Sequence, residues 1–362
     1  MSINSNYYVP CLRWKQGEYL ALSRLSPSTK DVLKPLIEIP EIGYDFERRS
    51  DSKTIDEHLA KLAHRIEANW GHRSCFVDIR LIESSERMET GQHPLAFVFD
   101  ELRSKDTLAT PVIDLRQDSD CQNAISETVA MDKRGVCARI NIEEAARSNF
   151  KDSLEGLLQK HNVGPGECDF VLDLRSPNFD PIDGFVNLLT VLSEGLPYLD
   201  VWRSFVLIGT SFPRSMAEVP RGLSIRPRKE WLLYTSLISS LKNSGTRIPT
   251  FGDYGISHPD VVKLDMRHIK PNASVRYTID NAYLINKGLN VRDHKFDQYH
   301  KLCQNIVESK YYCGEAYSAG DKYIKGCAQG TASTGRLTTW RWVGTNHHLE
   351  KVAKDIANLS VS

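Results

Sequence analysis

The sequence predicts a (β/α)8 barrel of the TIM type with a C-terminal hairpin and helical elaboration, and three observations lead there. Short apolar runs bounded by turn residues alternate with stretches of helical periodicity almost from end to end. Eight such runs occur, the number at which a parallel sheet closes. No GxGxxG or GxxxxGK[ST] turn follows an early strand, so the nucleotide fingerprints of an open doubly wound sheet are missing. At 362 residues the chain has room for one barrel plus additions. The expected organisation is therefore one barrel domain over 1–362, with an appended hairpin, helix and Gly-rich segment at 273–345.

The expected strands are Tyr8 to Arg13, Pro35 to Ile39, Cys75 to Arg80, Pro111 to Arg116, Val136 to Ile140, Phe170 to Arg175, Phe205 to Thr210 and Pro249 to Gly252. Between them, apolar residues recur at three and four spacing in Glu18 to Leu25, Ile55 to Trp70, Pro94 to Leu102, Cys121 to Met131, Phe150 to His161, Ile182 to Leu199 and Lys229 to Leu241. Each of these reads as a crossover helix. Ser274 to Ile279 and Ala282 to Asn286 alternate around Asp280-Asn281 as a hairpin with a two-residue loop. A helix is expected from Phe296 to Tyr311 and a last one from Asn346 to Leu359. The intervening Gly-rich segment, Cys313 to Gly335, reads either as a mobile loop over the barrel mouth or as an irregular connection.

Composition narrows the function classes. Lys plus Arg and Asp plus Glu both number 46, so no overall charge drives the chain toward nucleic acid or an anionic membrane. There is no apolar run of 18 residues and no secretory pattern at the start, so the expected setting is cytoplasmic, with no membrane partner. The eight cysteines show no CxxC and no repeated spacing; the expectation is buried thiols rather than a disulfide framework.

The informative residues are charges inside the strands. Barrel strands are covered on both faces and should be nearly all apolar. Here Asp78 with Arg80, Asp114 with Arg116, and Asp173 with Arg175 form three D-x-R units at strand ends. Residues two apart share a face, and the apolar residues between them supply the other, so Asp and Arg are expected in the lumen or its mouth. The same phase adds Arg13, Glu38, Arg139 with Asn141, and Asp253. Five carboxylates and five guanidinium groups thus converge on the C-terminal end, where barrel enzymes build their sites. A self-neutralising structural network is the competing reading, although such a network is costly to desolvate.

The chemistry that follows is anion binding, since guanidinium presents paired donors to phosphate or carboxylate. Glu38, Asp78, Asp114, Asp173 and Asp253 are the candidate acids and bases. They are Mg²⁺ ligands only where they lie free of arginine, so the cofactor is left open and no metal residues are assigned. Lys15 is either a phosphate contact or a solvated lysine. His347 and His348 read as helix-start residues or as ligand groups that titrate near neutrality. Trp340, Arg341 and Trp342 read as an ordinary strand or as a cluster that stacks a ring. No zinc spacing, GxSxG elbow or cysteine nucleophile motif occurs.

YVPCLRWKQGEYLAL at the start, PLIEIPE at the second strand, FGDYGISHPD after the eighth, and YSAGDKYI with TWRWVGTNHH near the end resemble the phage-type beta protein family, over essentially the whole chain. These motifs carry no standard catalytic label, so the resemblance names relatives without naming a reaction. It implies a setting in phage–host conflict. It marks Lys15, Gly17, Glu18, Glu38, Glu41, Gly252, Asp253, Tyr254, Pro259, Gly320, Asp321, Trp340, Arg341, His347 and His348. Arg13 stands where relatives are expected to carry Lys, which keeps the charge and changes a point donor into a fork.

Two functions are expected on these grounds. One is a barrel binding an anionic, phosphate-bearing ligand such as a nucleotide or nucleic-acid fragment, with a phosphoesterase-type hydrolase as the enzymatic form. Its binding set is Arg13, Lys15, Arg80, Arg116, Arg139, Asn141, Arg175, Tyr254, Arg341, His347 and His348. The other is a non-catalytic subunit of an antiviral assembly that recruits a nuclease or other effector protein.

Overall fold

The computed structural model describes residues 7–260 and 270–359. Eight parallel strands close into a barrel in the order Tyr8–Arg13, Thr250–Asp253, Ser204–Gly209, Cys168–Asp173, Val136–Asn141, Ala109–Ile113, Cys75–Asp78 and Leu36–Glu38, the last pairing with the first. All eight apolar runs of the sequence are barrel strands. Helices stand between them as the periodicity predicts, including Gln16–Ser23, Pro94–Ser104, Ser119–Asp132, Phe150–Lys160, Ile182–Glu194 and Lys229–Ser244. No helix among the described residues is long and apolar enough to cross a membrane.

The alternation of each strand divides its side chains between two compartments. Outward residues such as Ile37, Val77, Ile113, Leu172 and Phe251 form one core with the helices. Inward residues form a separate apolar plug of Val9, Cys11, Leu36, Phe76, Val112, Cys137, Val171, Val206 and Ile208, closed by Tyr254. Gly252 belongs to the inward set, and only glycine fits there. A Cβ at this position would lie 2.6 Å from Ile208 Cγ1 and 2.7 Å from the Val9 carbonyl oxygen.

The hairpin is present as Asn272–Ile279 and Ala282–Asn290 around the expected two-residue loop. It gains a third strand, Gly222–Pro227, which sequence reading missed. That strand leaves the chain between the seventh and eighth barrel strands, and Leu223 and Ile225 face solvent, so its alternation marks no core face. One side of the sheet packs on helices Gln298–Val307 and Ala319–Gln329 through Val275, Tyr277 and Leu284. The other side turns Tyr283 and Ile285 toward Phe212 and Ile256 in the loops above the barrel.

Two expectations about the C-terminal region are corrected. The Gly-rich segment is neither a lid nor an irregular connection, because Ala319–Gln329 within it is a helix capped by Ser318. The last helix spans Leu337–Leu359 and begins nine residues before the expected Asn346, so TTWRWVG is helical and not a strand. Threonine and tryptophan have modest helix propensity. Tertiary packing decides here: Trp340 stacks on Tyr299 with centroids 4.3 Å apart, and Val343 is fully buried.

Candidate functional site

The D-x-R spacing has a local cause. In each unit the Asp side chain accepts the backbone N–H of the Arg two residues on, at 2.9 Å for Asp78–Arg80, 2.7 Å for Asp114–Arg116 and 2.8 Å for Asp173–Arg175. The aspartate therefore ends the strand and fixes the turn that follows. It points inward as the strand phase predicts, while the arginine sits on the turn at the rim. Asp78 and Asp173 are buried, whereas the Arg116 and Arg175 side chains are about half exposed.

Arg139 occupies the centre of the lumen above the apolar plug. Its Nε donates to Asp173 Oδ2 at 2.9 Å, and its Nη1 donates to Glu38 Oε1 at 2.8 Å and Asp78 Oδ2 at 2.9 Å. Its Nη2 donates to the Tyr254 hydroxyl at 2.7 Å, and that hydroxyl is itself 2.7 Å from Asp173 Oδ2. Arg80 adds Nε to Asp78 Oδ2 at 2.7 Å. Burial pushes the Asp78 and Asp173 carboxyls up, but the Arg80 and Arg139 charges outweigh it and hold both below the ordinary carboxylate value. Glu38, Asp78, Asp173, Arg139 and Tyr254 thus form a closed, mutually satisfied layer.

Several predicted site residues lie elsewhere. Asp253 shares the outward face with Phe251, so it does not enter the lumen. It accepts from the Tyr8 hydroxyl at 2.5 Å and pairs with His348 Nε2 at 2.9 Å, in the wall between barrel and last helix. His347 and His348 are not helix-start residues; both are fully buried in the middle of that helix. His347 bridges Asp321, at 2.8 Å, and the Thr278 carbonyl, at 2.8 Å, while His348 Nδ1 meets the Thr278 hydroxyl at 2.8 Å. These contacts fasten the hairpin and last helix to the barrel and present nothing to a ligand. Asn141 caps the short helix Ile142–Ala145 by accepting the Glu144 N–H. Tyr254 lies beneath the mouth, within the closed layer.

Two openings flank that layer at the C-terminal end of the barrel. One, of about 430 Å³, is lined by Arg80, Arg116, Arg175, His93, Asp114 and Asp118. Of the five candidate acids and bases, Asp114 lines this opening. Arg80 Nη2 is buried there without a hydrogen bond, 3.6 Å from Asp114 Oδ2.

The other opening, of about 480 Å³, lies between the end of the first strand and the loops after the seventh and eighth. Its cations are Arg13, Lys15, Arg214, Arg276 and Arg341, set against the carboxylates of Glu18 and Asp260. Asp260 is already bound by Arg175 at 2.8 Å. Burial raises the Glu18 carboxyl despite Arg341, which weakens it as a counter-charge. Arg276 Nη1 and Arg341 Nη1 both donate to the one carbonyl of Ile256, at 3.0 and 3.2 Å. Arg276 has no carboxylate within 4.0 Å among the described residues, and burial together with Arg341 lowers its guanidinium to about 9. Arg214 and Arg276 were not foreseen from sequence, because Arg276 enters from the hairpin and Arg214 from a loop outside any strand phase.

Grouped metal ligands are absent among the described residues: no three of His, Cys, Asp or Glu gather into such a site. The lumen carboxylates Glu38, Asp78 and Asp173 are held by Arg139.

Fold and site together define a TIM-type barrel with a neutralised polar layer in the lumen and a cationic cleft at the mouth. A family model described as Beta protein matches residues 8–354. The chain belongs to the beta protein family. No curated protein matches it.

Proposed function

We propose that the barrel mouth binds an anionic, phosphate-bearing ligand in the cleft formed by the loops after the seventh and eighth strands. The carrying observation is the pair of guanidinium groups, Arg276 and Arg341, that share one carbonyl acceptor without a full complement of counter-charge. Two cations held this close need an anion between or beside them, and planar forks suit phosphate oxygens. The same loops form the phosphate site in many TIM-type barrels. In the enzymatic form of this reading Asp114 performs acid–base work, since Glu38, Asp78 and Asp173 are engaged by Arg139 and Asp253 faces away. The proposal keeps the cytoplasmic, phage–host setting that the family resemblance implies.

The closed layer favours a second reading, in which the lumen charges are structural and the protein is a non-catalytic subunit of a defence assembly that binds the ligand as a signal and recruits an effector. Titration calorimetry with inorganic phosphate on the wild-type protein and Arg276→Gln tests the binding claim common to both. The expected result is saturable binding that weakens at least tenfold in the variant; equal binding by the two proteins contradicts it. Phosphoester hydrolysis that disappears in Asp114→Asn with binding retained selects the enzyme, and hydrolysis absent from the wild type selects the subunit.

A further inference from the structure

The cationic cleft does not end at the arginines. It continues into a second chamber of about 530 Å³ that shares Lys15, Glu18, Met216, Arg276 and Arg341 with it. The lining of this chamber changes character. Beyond the shared charged residues, its described walls are neutral: Asn272 and Ser274 from the hairpin, Tyr299, and Leu337, Thr338 and Trp340 from the start of the last helix. Volumes of this order accommodate a small organic molecule.

The junction of the two chambers has the features of a phosphate cradle. Helix Gln16–Ser23 begins there, and its N-cap, Lys15, makes no side-chain capping bond. The Gln16 and Gly17 N–H groups have no hydrogen-bond partner among the described residues, and Arg341 crosses directly above Gly17. A helix start alone is a weak anion site. Here it faces two guanidinium groups that have one carboxylate between them, Glu18, 3.7 Å from Arg341 Nε, so three donor elements surround one space.

Resting on the phosphate-binding reading above, we infer that the ligand is a nucleoside phosphate, its phosphate between Arg276, Arg341 and the start of helix Gln16–Ser23 and its nucleoside in the neutral chamber. Asn272, Ser274 and Thr338 supply the amide and hydroxyl groups that pair with base edges and ribose. Tyr299 and Trp340 are stacked on each other, so the chamber meets their edges and the base packs against an aromatic rim rather than a free ring face.

Calorimetric titration of the full chain with inorganic phosphate, ribose 5-phosphate and the four nucleoside 5′-monophosphates tests this. The expected order is at least one nucleotide bound tenfold or more tightly than ribose 5-phosphate, with every ligand weakened in Arg276→Gln. Thr338→Trp, which fills the chamber, is expected to reduce the nucleotide to the affinity of ribose 5-phosphate. If all phosphates bind equally and still depend on Arg276, the nucleoside assignment is overturned while the phosphate site stands. If no phosphate binds the wild-type protein, both are overturned.

Discussion

Replacing Arg139 by methionine exposes the logic of the lumen. The guanidinium is the common partner of Glu38, Asp78 and Asp173, and every one of its nitrogens is engaged. Methionine fills similar space but leaves three buried carboxylates facing one another with only Arg80 and Arg13 close by. Removing one partner of a buried ion pair costs about 3–5 kcal/mol. In a chain of this size each kcal/mol moves Tm by roughly 2 °C, so a fall on the order of 5–10 °C is expected at pH 7.5. The pH dependence gives the sharper check. In the wild type Asp78 and Asp173 are held below their ordinary value of 3.8, so their stabilisation is full above that pH and is lost as pH falls through the lower folded-state value. Without Arg139 the burial that raises both carboxyls meets less positive charge, Asp173 losing its largest partner while Asp78 keeps Arg80, and folded-state values above the unfolded ones are expected. Stabilisation by those groups is then present in acid and lost as pH rises. The deficit of Arg139→Met relative to wild type therefore shrinks between pH 7.5 and pH 5, as read by thermal unfolding followed by circular dichroism. A variant as stable as wild type, or a deficit unchanged across that interval, refutes the reasoning.

Other substitutions probe the remaining parts. Gly17→Ala places a Cβ 2.2 Å from Arg341 Cγ and 2.6 Å from its Cβ, so helix Gln16–Ser23 and the last helix must move apart and Arg341 shifts from Ser257 and Ile256; phosphate affinity measured by calorimetry is expected to fall about tenfold, with a lowered Tm. Arg276→Gln removes a charge with no carboxylate partner, so the ligand-free protein is expected to melt at the wild-type temperature or above it. Asp253→Asn weakens the tie from Tyr8 and His348 to the barrel wall, at a cost of about 1–3 kcal/mol in urea unfolding at pH 7. Burial opposes ionisation of Asp253, but His348 and Tyr8 hold its carboxyl below 3.8, so this cost is expected to vanish as pH falls through the lower value.

The barrel was legible because its signal is local: each strand is a short apolar run between turn residues, and each crossover helix carries its own periodicity. The phase argument carried Glu38, Asp78, Asp114, Arg139 and Asp173 correctly into the lumen, since two-residue alternation holds while the strand lasts. It misplaced Asp253 because the eighth strand has Gly252 and Tyr254 inward, and a glycine gives no hydrophobic cue to its phase. The same rule treated Arg80, Arg116 and Arg175 as strand residues, when the aspartate two positions earlier had already turned the chain. His347 and His348 were read against a helix boundary nine residues late, an error created by Thr338, Thr339 and the tryptophans, whose packing on the hairpin helices overrides their weak propensity. Arg276 left no legible mark, because its importance comes from a hairpin folding back over the mouth, a contact between segments far apart in sequence.

The most direct measurement is a crystal structure of the full chain grown with a saturating nucleoside monophosphate. The account predicts phosphate density touching both Arg276 and Arg341 at the start of helix Gln16–Ser23, with the base in the neutral chamber beside Asn272 and Thr338. An empty cleft in which both arginines still donate to the Ile256 carbonyl, or a nucleotide bound elsewhere on the barrel, would contradict it.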